Sequence, residues 1–298
     1  YHYLITEFFE YQLSWLYRAY GTFKDFDKYI MLAYFYKKNL SIYADLFQLK
    51  TYDEYYSLPF IELDKLNIIE ISKELRISKE TTRRKILQLE KQGVISKDNK
   101  KITINHKNIN KLIEPNLTIK SFSRLLSSIS GMLYKNNKVN KAYDRKFFVS
   151  RIKKKYTQCW AVFLEFQIDY VLARSKIFNN DTELFFIMGA LIYNQNLSNR
   201  KNNKLINYRD EWWRNITNID DKKGLNAMTI SELTGIPRPT VFRKLKILLN
   251  RKDAVKDKKN LYGFIRGPGY EAINKVRLQN VEKLSKTISR INNIIFFS

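Results

Sequence analysis

The chain carries one pattern twice, 159 residues apart. The first copy reads Ile71-Ser72-Lys73-Glu74-Leu75-Arg76-Ile77-Ser78-Lys79-Glu80-Thr81-Thr82-Arg83-Arg84-Lys85-Ile86, the second Ile230-Ser231-Glu232-Leu233-Thr234-Gly235-Ile236-Pro237-Arg238-Pro239-Thr240-Val241-Phe242-Arg243-Lys244-Leu245. Without a gap, Ile77 aligns with Ile236, Thr81 with Thr240, Arg84 with Arg243, Lys85 with Lys244 and Leu89 with Leu248. The register continues through Lys97, Asp98 and Lys100, opposite Lys256, Asp257 and Lys259. Two stretches this alike must build the same local unit twice, which limits the architecture before composition is considered. Shorter matches fall in the same order. Phe9-Glu10-Tyr11-Gln12-Leu13 resembles Leu164-Glu165-Phe166-Gln167-Ile168, and Asn39-Leu40-Ser41 matches Asn196-Leu197-Ser198. The sequence therefore divides into halves 1–134 and 156–298, joined by a basic linker at 135–155.

Each copy reads as two helices followed by a hairpin. Ser78 suits the N-cap of a helix from Lys79 to Gln92, with Gly93 as its C′ residue. Val94-Ile95 and Ile102-Thr103-Ile104 are short β-type runs around the turn residues Lys97-Asp98-Asn99-Lys100. The spacing predicts a helix-turn-helix at about 61–92 with a wing at 94–104, and a second at about 228–250 with a wing at 254–265. Before the first unit, helices are expected at 3–20 and 26–48, separated by Gly21 and the Asp25/Asp27 region; Tyr52 to Leu58 reads as a loop closed by Pro59. Helical stretches at about 106–114 and 117–134 break at Pro115. An insertion at about 199–226 carries Trp212 and Trp213, read as anchors to the core. A last amphipathic helix runs from Tyr270 to Asn292 after Gly267-Pro268-Gly269. The expected fold class is mainly α: two winged helix-turn-helix units with flanking helices, arranged as a pseudo-dimer.

The 298 residues are 44% hydrophobic and 14% aromatic, enough apolar material for real cores, and carry a formal charge of +25. Such a charge favours a polyanionic partner. AT-rich codon usage also enriches Lys, Asn and Ile and contributes to the bulk charge, but it does not explain where the charges sit. Residues 71–104 hold ten Lys/Arg against four Asp/Glu, and residues 229–265 nine against three. The linker 135–155 holds nine Lys/Arg against one Asp, a charge suited equally to a phosphate backbone or to a solvated connector.

A helix that enters the major groove needs short polar and basic side chains at its N-terminal end and one apolar stripe to hold it on its domain. In the first copy Ile77, Thr82, Ile86 and Leu89 form that stripe, leaving Ser78, Lys79, Thr81, Arg83, Arg84 and Lys85 to meet DNA. In the second copy Ile236, Val241, Leu245 and Leu248 point inward, and Arg238, Pro239, Thr240, Phe242, Arg243 and Lys244 face out or flank. Arg84 and Arg243, in mid-helix, are assigned to phosphates. The wings offer Lys97, Lys100 and Lys101, and Lys256, Lys258 and Lys259, to the backbone or minor groove.

The run Ile230 to Leu245 resembles the helix-turn-helix of bacterial winged-helix regulators of the MarR and IclR types, and Ser78 to Ile95 is similar to that of MarR-type and GntR-type regulators. Asp98-x-Lys100 and Asp257-x-Lys259 stand where MarR-type wings often carry Asp-x-Arg. The resemblance implies a dimer-like arrangement with one recognition helix per half. It also implies room for a small-molecule effector, of unspecified identity, between the aromatic helices and the winged units. Because the two recognition helices differ, an asymmetric or pseudo-palindromic double-stranded DNA site is expected, with half-sites ~10 bp apart. The chain is expected to work as a monomeric pseudo-dimer or a homodimer.

Other chemistry lacks its residues. His2 and His106 with the single Cys159 cannot form a metal cluster, and no phosphate loop or nucleophile elbow is present. Neither an enzyme nor a cofactor is expected. Cys159 reads as a buried structural thiol in a reducing cytoplasm, and His106 as a surface residue or DNA contact. No apolar run reaches the length of a membrane span and no signal peptide is read, so a cytoplasmic, nucleoid-associated location is expected; the chain begins at Tyr1 rather than Met, which suggests a natural start further upstream. The leading reading is a transcriptional regulator. A plasmid- or phage-type replication initiator is the alternative, and a protein-interaction scaffold the reading from another class.

Overall fold

The computed structural model describes residues 2–46, 48–64, 66–109, 113–201 and 224–297. They are mainly helical, with two small antiparallel sheets. Among them no helix is long and apolar enough to cross a membrane. Trp212, Trp213 and most of the insertion expected around them lie outside the described residues.

The chain forms two compact units that cut across the sequential halves. Unit A comprises Asp25–Leu172 with Gln279–Ser298 and holds the first repeat copy; unit B comprises Tyr1–Lys24 with Ala173–Leu278 and holds the second. Helix α1 (His2–Phe23), from the first half, thus belongs with the second copy. Its repeat counterpart α9 (Tyr156–Ser175) belongs, up to Leu172, with the first copy. The two halves have exchanged their first helices.

In unit A, α2 (Phe26–Asp45) starts at Asp25, whose carboxylate accepts the N–H groups of Asp27 and Lys28. Gly21, expected to break the helix, lies inside α1, which ends at Phe23; the break follows at Lys24, with φ 52°. The expected loop 52–58 is a short helix, α3 (Tyr52–Ser57). Thr51 and Glu54 close a capping box at its start, satisfying two N–H groups reciprocally. The helix expected from Ile61 begins later, because Phe60–Leu63 is a strand, β1, with Ile61 and Leu63 buried and Phe60 and Glu62 exposed. That alternation suits a sheet with one face on the core.

Helices α4 (Ile68–Leu75) and α5 (Lys79–Lys91) follow, then strands β2 (Ile95–Asp98) and β3 (Lys101–Asn105). The sheet order is β1-β3-β2, with Ile104 opposite both Ile61 and Ile95. After a single turn, α6 (His106–Ile109), Pro115 opens α7 (Pro115–Lys135) at the first helical position, where its missing N–H costs nothing. The second half of the expected linker is a helix, α8 (Arg145–Lys154), capped by Asp144; it packs on α7 and buries Phe148 and Ile152.

An aromatic core joins α2, α3, α6 and α9 within this unit. Tyr56 and Tyr156 share a hydrogen bond of 2.9 Å between their hydroxyls, and the Tyr55 hydroxyl donates to Asn39 Oδ1. His106 is 1% exposed, which overturns its expected surface position. It continues the inward alternation of Ile102 and Ile104, and its Nδ1 donates to the Leu58 carbonyl at 2.8 Å. Burial lowers the imidazole pKa to about 4. Cys159 is buried too, and desolvation pushes its thiol up to about 12, so it stays protonated and inert.

In unit B, α1 packs against α10 (Thr182–Lys201) and α11 (Ala227–Thr234). Next come α12 (Arg238–Asn250) and the hairpin β4 (Ala254–Lys256)–β5 (Tyr262–Phe264). A bridge from Leu225 to Tyr262 stands where unit A has β1. The buried Gln195 amide binds both backbone groups of Phe264, at 3.0 and 2.8 Å, and so fixes the hairpin to α10. Helix α13 starts at Pro268 and runs to Phe297, and only its part up to Leu278 belongs to this unit. Asp253, fully buried, accepts the Gly269 N–H and the Arg251 guanidinium; a Cβ at Gly267 or Gly269 would strike the Lys252 carbonyl or the Asp253 carboxylate.

Candidate nucleic-acid interface

The helix pairs α4–α5 and α11–α12 are built alike. Asn67 and Asn226, 159 apart like the repeat itself, cap the first helix of each pair. Each first helix ends at a left-handed residue, Arg76 at φ 56° and Gly235 at φ 70°. Ser72 and Ser231 then donate their hydroxyls to the carbonyls of Ile77 and Ile236, which fixes the tight turn. The second helices start differently. Ser78 accepts the Thr81 N–H at 3.0 Å and donates to the Thr81 hydroxyl, whereas Pro237 offers no side-chain cap. Ser78 is therefore exposed but already engaged as a cap.

The expected inward residues hold these helices down. Thr82, Ile86 and Leu89 are buried, as are Val241, Leu245 and Leu248. Two residues expected on the DNA face are not there. Lys85 is half-buried and its ammonium pairs with Asp25; Lys244 is 9% exposed and pairs with Asp181 and, at 3.4 Å, with Glu183. Position 85 is three residues after Thr82 and four before Leu89, so it lies within the inward arc. A buried ammonium there requires a carboxylate, and Asp25 and Asp181 supply it. The two acids are themselves counterparts: Asp25 caps α2, and Asp181 accepts the Leu184 N–H at the start of α10.

What remains outward is cationic. On α5 Lys79, Arg83 and Arg84 are exposed, with Thr81 partly so; on α12 Arg238, Pro239, Phe242 and Arg243 are exposed, with Thr240 partly so. None of the ion pairs among the described residues uses Lys79, Arg83, Arg84, Arg238 or Arg243. Lys246, absent from the sequence-based set, joins this face; it follows Phe242 and Arg243 by four and three residues and helical spacing alone would find it.

The hairpins present lysines at their tips. Lys97 and Lys100 are exposed, Asn99 takes the left-handed turn position, and the Lys97 N–H bonds Glu90 of α5 at 2.9 Å, tying hairpin to helix. Lys101 is instead held by Glu62 of β1 at 2.9 Å, an exposed pair that raises its pKa. In unit B the loop between the paired residues Lys256 and Tyr262 is one residue longer than that between Lys97 and Ile102. Asp257 organises it by accepting the Lys259 and Leu261 N–H groups at 2.8 Å. Lys258 and Lys259 are exposed at its tip, while Lys256 lies 5.8 Å over the Tyr262 ring. A third basic surface lies on α8, where Arg145, Lys146, Arg151 and Lys154 are exposed.

Comparison of the chain with protein-family models, curated proteins and solved structures finds no match.

Proposed function

We propose that the chain binds double-stranded DNA sequence-specifically through two winged helix-turn-helix units and acts as a transcriptional regulator, similar in plan to two MarR-type subunits fused in one chain. One observation carries this reading. The same helix pair and hairpin occur twice, and in both the lysine of the inward arc is neutralised while the cations of the outward arc are not. An exposed cationic helix face beside a lysine-tipped hairpin suits a groove lined by phosphates. In this reading α5 and α12 are the recognition helices, Lys97, Lys100, Lys258 and Lys259 reach the backbone beside them, and α8 adds contacts that carry no sequence information. The protein then acts on chromosomal DNA in the cytoplasm.

The test is selection of bound duplexes from a random pool by the full chain at about 150 mM salt, followed by sequencing. Enrichment of a two-part motif is the expected result. Binding without enrichment would mean a non-specific DNA coat, and absence of binding would sink the proposal in favour of a protein-interaction scaffold.

A further inference from the structure

The repeat allows the exposed faces of α5 and α12 to be compared residue against residue. Three outward positions agree in kind: the exposed Lys79 with Arg238 and Arg84 with Arg243, and the partly exposed Thr81 with Thr240. Within the N-terminal turns, where a recognition helix meets base edges, two positions beyond the capping residues Ser78 and Pro237 do not. Glu80 corresponds to Pro239, and Arg83 to Phe242. Neither difference serves the core. Arg83 is exposed, and Phe242 leaves 44% of its surface in water. The Arg238 guanidinium lies 5.4 Å over the Phe242 ring, so cation and ring are presented together.

Resting on the DNA-binding reading above, we infer that the agreeing residues grip phosphates in both half-sites while the differing pair reads bases, so that the half-site under α5 carries guanine where the half-site under α12 carries thymine. The physical reason lies in the base edges. A guanidinium fork matches the O6 and N7 acceptors of guanine, and a carboxylate such as Glu80 accepts from the cytosine amino group. Phe242 and Pro239 offer no hydrogen bond to a base edge, but an apolar surface fits the thymine methyl group. The chain thus distinguishes the two ends of its site, and its orientation on DNA is fixed by composition.

The experiment is duplex selection with the wild-type chain, Phe242→Arg and Arg83→Ala. Wild type should yield one half-site with guanine and one with thymine at the equivalent position. Phe242→Arg should convert the thymine to guanine, with about a ten- to hundredfold change in preference, and leave the other half-site alone. Arg83→Ala should relax only the guanine. Because Phe242 and Arg83 are exposed and sit in different units, unchanged thermal melting serves as the folding control for each. The same base in both wild-type half-sites, or an unaltered motif from Phe242→Arg, would overturn the inference while leaving DNA binding intact. No enriched duplex with the wild type would overturn the DNA-binding reading itself, and this inference with it.

Discussion

The Lys85 ammonium, on helix α5, is bound to the carboxylate of Asp25, the residue that caps α2, and the second copy repeats the relationship with Lys244 and Asp181. The acid does two things at once. It satisfies N–H groups at a helix start and neutralises a cation held against the core. Asp25→Ala removes both and is expected to destabilise the fold by about 1–3 kcal/mol. Lys85→Met keeps the cap and most of the packing and should cost less. Urea denaturation of both variants measures the order; a larger loss from Lys85→Met would mean that the cap is not what Asp25 contributes.

Arg84 and Arg243 occupy the same helical position as one another but lie on the exposed arc. Their loss should leave the fold unchanged and weaken DNA binding. Each Arg→Ala change is expected to lower the slope of log affinity against log salt by about 1, with the double variant losing about 2. Titration across a salt series checks this. An unchanged slope would remove these arginines from the interface.

Much of this was legible from residues. The Ser78 cap, the helix after it (expected to Gln92 and ending at Lys91), the left-handed Gly93 and the lysine-tipped hairpin follow from local chemistry. Strand β1 was also legible, since Phe60–Leu63 alternates, but a helix reading extended over it. Position 85 belongs to the inward arc by spacing, yet a lysine reads as exposed until its carboxylate is known, and that acid lies 60 residues away. The exchange of α1 and α9 was not legible at all. Phe9-Glu10-Tyr11-Gln12-Leu13 and Leu164-Glu165-Phe166-Gln167-Ile168 are so alike that local pattern cannot decide which copy each helix joins.

At two of the backbone positions that are left-handed in both copies, one copy uses glycine and the other does not. Arg76 answers to Gly235, and Lys252 at φ 57° answers to Gly93 at φ 65°. A side chain in this region carries a steric cost that glycine avoids. Lys252→Gly should therefore stabilise the chain by up to about 1 kcal/mol, the left-handed cost less glycine's entropy, whereas Gly93→Ala should destabilise it, since its Cβ would also meet the Asn108 amide at 3.1 Å. Melting temperatures of the two variants, moving in opposite directions, are the check.

Helix α8 is anchored by Phe148 and Ile152 while Arg145, Lys146, Arg151 and Lys154 face solvent. Replacing these four by Gln should weaken binding to all duplexes by a similar factor and flatten the salt dependence, with the selected motif unchanged. A change in the motif would place α8 at base edges instead; equal affinity would leave α8 a solvated helix.

His106 gives the fold a pH dependence of its own. Its ring stacks on Tyr36 at 5.7 Å and on Tyr56 at 5.2 Å, and while Nδ1 donates to Leu58, Nε2 is buried without a partner. A proton on Nε2 would place a charge in this aromatic core, which is why burial lowers the pKa from 6.5 to about 4. The folded value lies below the unfolded one, so between these pH values the unfolded chain binds more protons. The stability contribution is complete above about pH 6.5 and declines as the pH falls toward 4, by up to about 3 kcal/mol. His106→Phe removes the titrating group but not the ring. The stability of wild type relative to this variant should fall across that window and stay level above it. A difference that is flat from pH 7 to about pH 4 would show that His106 is as easily protonated in the folded chain as in the unfolded one.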